Sequence, residues 1–171
     1  HRCIFRRNGA IISSVVPELT EQAAEAVKEI TGYAPVILKA GLEVGMRICT
    51  DHPKQVGADL IAAAVGAAQK YPGPLCIFDL GTATTLSVVT SDRRYLGTII
   101  MPGVGISLNA MTKRASQLPR FSIEKPDNLI GKNTVDSMRS GVIYGNASMM
   151  DGLVDRVEKE LGEKTTVVVT D

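Results

Sequence analysis

The break "PGP" at residues 72 to 74 opens onto three β-rich runs, "LCIFDL", "TTLSVVTS" and "YLGTIIMPG", with a polar turn at Ser91 to Arg94 before the last. Runs this short, joined by so few residues, pair with their neighbours in sequence, and an antiparallel meander is expected. It is read as the sheet of a second lobe. Upstream, "GAIISSVVPE" is a β-branched run closed by Pro17, and "LTEQAAEAVKEITG" sets Leu19, Ala23, Val27 and Ile30 at helical spacing ahead of Gly32. "APVILKA" reads as a further strand. "GADLIAAAVGAAQK" places Leu60, Ile61, Ala64, Val65 and Ala68 on one helical face, starting near Asp59 and ended by Tyr71, Pro72 and Gly73. Downstream, "ISLNAMTKRASQL" and "TVDSMRSGVIYGNASMMDGLVDRVEKEL" read as helices, the second with a glycine-rich middle, and "TTVVVTD" as a strand. The class is mixed α/β. The "PGP" break divides the chain into an N-terminal lobe, 1–73, and a C-terminal lobe, 74–171, and both ends read as incomplete.

Charge removes several function classes. Of 171 residues, 22% are charged and the net charge is +1, so no basic field favours nucleic acid or an anionic membrane. No apolar stretch approaches the roughly 20 residues a membrane helix needs. The opening "HRCIFRRNGA" lacks the layout of a signal peptide, and a cytoplasmic location is expected. Cys3, Cys49 and Cys76 are far apart without CxxC spacing, which argues against a zinc site or a disulfide framework and for reduced, mostly buried thiols. With His1 and His52 alone, a histidine triad is hard to assemble, so acid-base chemistry falls to a carboxylate.

Four stretches could carry chemistry. In "DLGT", Gly81 permits a close backbone approach, Thr82 offers a hydroxyl and an N–H to a phosphate, and Asp79 can hold a cation. Equally, Asp79 and Gly81 suit a hairpin turn whose threonines are good strand formers. Asp59 stands where a helix starts, either as an N-cap or as a general base kept ionised by the helix dipole. "IGKNT" offers Thr134 as a cap or as a hydroxyl presented to a ligand. "GTIIMPGVG" surrounds Pro102 with three glycines, for a turn or for close approach to a ligand, and does not match the Walker pattern GxxxxGK[ST].

Taken in order, "SSVVP", "HPKQVGAD", "DLGTATT", "YLGTIIMPG", the pair Leu118 and Pro119, and "GKNTVDSMRSGVIYG" resemble type III pantothenate kinase along nearly the whole chain. The resemblance implies duplicated ribonuclease H-like lobes of the acetate and sugar kinase, heat-shock protein and actin superfamily, here with the first lobe incomplete. It implies phosphorylation of pantothenate by ATP to 4'-phosphopantothenate, the first step of coenzyme A synthesis, with magnesium, potassium or ammonium, and a homodimer. By position, Asp59 matches the proton acceptor, Asp79 the monovalent-cation ligand and Thr82 an ATP contact. Gly57, Ala58 and Asp59 with Thr134 match the substrate pocket, in which Thr50 and Leu60 also stand.

The chain departs from the family pattern in three places. The N-terminal Asp-x-Gly-Asn-Thr phosphate loop is missing, and the Thr-Gly-Gly that approaches adenosine would begin at Thr170. Leu60 replaces an arginine, and Thr50 stands where a tyrosine is frequent, so the pocket loses a fork of donors and some volume. Those two changes keep open a non-catalytic binding or regulatory relative, or a kinase for a different small hydroxy acid. Met149, Met150, Leu153 and Val154 could serve a dimer interface or the chain's own core.

Overall fold

The computed structural model describes residues 9–14, 16–38, 42–114, 119 and 121–170. His1, Cys3 and the "HRCIFRR" opening, Leu118 and Asp171 lie outside them. The elements are β1 (Ile11–Ser13), α1 (Pro17–Thr31), β2 (Val36–Leu38), β3 (Arg47–Ile48), α2 (Ala58–Lys70), β4 (Leu75–Leu80), β5 (Ala83–Val89), β6 (Arg94–Pro102), α3 (Val104–Arg114), α4 (Thr134–Leu161) and β7 (Thr166–Thr170). Pro53–Gln55 adds one 3-10 turn.

β1 and β2 pair in parallel as a two-stranded sheet, with α1 as the connection. Pro17 opens α1, where its missing N–H costs nothing, and Gly32 closes it in the left-handed conformation at φ 77°, donating its N–H to Lys28 O at 2.8 Å.

The expected meander forms. β4, β5 and β6 run antiparallel inside a five-stranded sheet of order β3-β6-β5-β4-β7, with β3 parallel to β6 and β7 parallel to β4. One face takes α2, whose Ile61, Ala64 and Ala67 pack with Leu75, Ile77, Val89 and Tyr95. The other takes the C-terminal half of α4, where Val157, Met150, Leu153, Val154 and Leu161 pack with Cys76, Phe78, Leu86 and Val88. A strand covered on both sides reads as a continuous apolar run, which is why Leu75 to Phe78 shows no alternation.

Three expectations change. Leu60 is half-buried and outside the α2 core cluster, because it sits in the helix's first turn; Ala67 takes the fully buried position instead. Met150, Leu153 and Val154 belong to the chain's own core, so they do not argue for a dimer. Cys76 is buried, as expected of a small apolar side chain, but Cys49 is exposed just beyond β3. The glycines of α4 leave it one continuous helix of 28 residues.

Glu158 ties the end of α4 to the start of β7. Its Oε1 accepts from Thr165 N at 2.9 Å and from Thr165 Oγ1 at 3.2 Å, and its Oε2 meets Lys164 Nζ at 2.6 Å. The Lys164 ammonium, then the Thr165 N–H, hold its carboxyl below the usual carboxylate range. A lowered folded pKa gives stability that is present above the unfolded value and lost as pH falls through the folded one. Glu158→Gln should therefore lower the thermal midpoint at neutral pH, and the gap to wild type should close on acidification below about pH 4. A pH-independent gap would contradict this role.

Candidate active site

β4 leaves its two covers at Asp79, and the burial pattern changes from four buried residues to a half-buried aspartate and an exposed Leu80. Asp79 shares its sheet face with Leu75 and Ile77, the face that α2 covers. In register, Thr85 of β5 lies directly across from it on one side and Thr170 of β7 on the other. Gly81 and Thr82 form the exposed two-residue turn into β5. The Asp79 carboxylate curls toward this turn, with Oδ1 3.4 Å from where a Gly81 Cβ would stand.

Gly103 supports that turn from behind. It is buried, and a Cβ there would fall 2.6 Å from Gly81 O and overlap the Thr82 carbonyl. Gly103 thus allows close approach to the chain's own "GT" backbone, whereas a Cβ at Gly105 would meet nothing within 4 Å.

At the start of α2 the N-cap is Gly57, which corrects the reading of Asp59 as the cap. Asp59 is two residues further in, exposed, with Oδ1 accepting from Leu60 N at 2.9 Å. The carboxylate folds back over Gly57 so closely that a Cβ at Gly57 would collide with Oδ1. Glycine is therefore required for the carboxylate to take this position at the positive end of the helix dipole. Ala58 and Leu60 are half-buried beside it. Thr50 lies between β3 and the 3-10 turn, with its hydroxyl buried and no hydrogen-bond partner among the described residues.

Thr134 is the first residue of α4 rather than its cap. Asn133 takes the cap, accepting from Asp136 N at 2.9 Å and donating to Asp136 Oδ2 at 2.7 Å. Asn and Thr both cap well, so the sequence did not separate these neighbours. Thr134 is exposed and lines a cleft of about 730 Å³ between α3 and α4, with Ser107, Met111, Lys132 and Asn146 also in its wall. Lys132, Ser107 and Asn146 had drawn no attention in the sequence, since none stands in a pattern of its own. Asp59 and Asp79 are not among the residues lining that cleft.

A family model described as type III pantothenate kinase matches residues 1–156. The type III pantothenate kinase of Moorella thermoacetica is 40% identical over 162 residues, covering 95% of this chain and 64% of the relative. That of Hyphomonas neptunium is 42% identical over 168 residues, covering 98% and 66%. The chain thus spans slightly less than two thirds of these relatives' length. Among solved structures, one from Campylobacter jejuni described as a conserved putative Baf family transcriptional activator superposes with a TM-score of 0.58 at 20% identity, over 86% of this chain and 65% of that one, a likeness of fold. The motifs quoted above lie within the matched span, and the chain belongs to the type III pantothenate kinase family.

Proposed function

We propose that the protein transfers the γ-phosphoryl group of ATP to the primary hydroxyl of pantothenate, giving 4'-phosphopantothenate. The observation that carries this reading is the Asp59 carboxylate, exposed and fixed over Gly57 at the start of α2 within a family of pantothenate kinases. A carboxylate so placed accepts the hydroxyl proton as the bond to phosphorus forms and the bond to the ADP leaving group breaks. Gly57, Ala58, Leu60 and Thr50 line the substrate pocket beside Asp59 in this reading, Thr134 offers its hydroxyl to substrate from the separate cleft between α3 and α4, and Thr82 contacts the nucleotide phosphates.

Catalysis then rests on positioning and charge neutralisation, as phosphoryl transfer generally does. Magnesium would supply positive charge to the transferred phosphates. Asp79 holds potassium or ammonium.

The fold reading that accompanies this function is the duplicated ribonuclease H-like architecture, with 1–73 in the first lobe and 74–171 in the second. Its support is the order β6-β5-β4-β7, an antiparallel meander with a parallel strand added beside its first member. α2 is then the connecting helix, packed on the second lobe's sheet. A homodimer is favoured by exposed apolar side chains at Ile100, Ile106, Leu129 and Ile130. Among the described residues no helix is long and apolar enough to cross a membrane.

A second reading, a kinase for another small hydroxylated acid, is favoured by the pocket itself: Leu60 offers no donor and the Thr50 hydroxyl is buried with no partner among the described residues. A panel of hydroxy acids with the intact protein separates the two.

Asp59→Asn is expected to keep the wild-type thermal midpoint and to lower turnover about 100- to 10,000-fold. Turnover near wild type would remove Asp59 from the mechanism. Gly103→Ala forces the Gly81–Thr82 backbone outward, at about 1–3 kcal/mol of stability. It is expected to raise KM for ATP more than it lowers kcat, and an unchanged KM would detach this turn from the nucleotide.

A further inference from the structure

The sheet face under α2 carries a row of hydroxyls beside Ile77 and Asp79. Ser87, across from Ile77, is satisfied, since its Oγ lies 2.9 Å from Tyr95 Oη and 3.4 Å from Thr98 Oγ1. Thr85, across from Asp79, is different. Its residue is 9% exposed, its Oγ1 is buried, and that oxygen has no hydrogen-bond partner among the described residues. A buried hydroxyl without a partner costs stability that valine, of the same shape, would not.

We propose that the Thr85 hydroxyl is a ligand, with the Asp79 carboxylate, of a bound monovalent cation; this rests on the reading that Asp79 holds one. Residues directly across an antiparallel pair have Cβ atoms about 4.5–5.5 Å apart on the same face, so one ion of potassium size can touch both oxygens. Without nucleotide, a single carboxylate with a neutral hydroxyl balances one positive charge. Neutral oxygens replacing a hydration shell are the usual means of holding potassium. The Asp79 carboxylate curling toward Gly81 sets the ion at the turn that carries Thr82, next to where nucleotide phosphates would lie.

The test is the thermal midpoint of the intact protein without nucleotide, in potassium chloride against tetramethylammonium chloride at equal ionic strength. Wild type is expected to show a potassium-specific rise, and Asp79→Asn to lose it. Thr85→Val should melt above wild type in tetramethylammonium and lose most of the potassium rise, while Thr85→Ser should keep the rise. A full potassium rise in Thr85→Val, with loss in Asp79→Asn, overturns Thr85 as a ligand and leaves the Asp79 reading standing. No rise in wild type overturns the Asp79 reading and this proposal with it.

Discussion

The burial of β4 on both faces is the constraint from which the rest of the molecule follows. Leu75, Cys76, Ile77 and Phe78 alternate between the α2 cluster and the α4 cluster, so neither helix can be displaced without exposing one half of the strand. Pairing on both edges, with β5 and β7, leaves its backbone no freedom to slip. Asp79 comes at the first position where the cover ends, and its carboxylate gains access to solvent at a point the core holds rigid. A binding group on the end of such a strand is more precisely held than one on a loop. The turn that follows is held from behind by Gly103, so the "DLGT" stretch is fixed by packing on one side and open on the other.

Much of this was legible in the sequence. Three β-rich runs with short joints gave the meander, 3.6-residue spacing gave α1 and α2, and Pro17 and Gly32 marked the ends of α1. β3 was not legible, because two residues, Arg47 and Ile48, carry no periodicity and acquire strand character only by pairing with β6. The cap of α2 is Gly57, two residues before Asp59 and without a side-chain bond, and the cap of α4 is Asn133, whose neighbour Thr134 could have satisfied the same N–H groups. Met150, Leu153 and Val154 follow helical spacing whether they face a partner or a sheet, and only the packing separates the two.

The candidate site was legible as residue types and not as relations. A threonine that only forms strand and the threonine proposed as an ion ligand look alike in "DLGTATT"; Thr85 is set apart by its register opposite Asp79 and by a buried oxygen with no partner among the described residues. The same holds for Gly57, whose necessity comes from the Asp59 side chain lying over it, and for Thr134, which lines a cleft that neither candidate carboxylate borders. In the proposed pocket Leu60 and Thr50 would bear on substrate choice, because a pocket that loses paired donors discriminates differently among polar acids.

The central claim is that this family member phosphorylates pantothenate. Its most direct test is to incubate the intact protein with ATP, magnesium and pantothenate, in potassium and in sodium, and identify the product by mass. Formation of phosphopantothenate, faster in potassium, is the expected result; a folded protein that binds ATP yet yields no phosphopantothenate in either salt would contradict it.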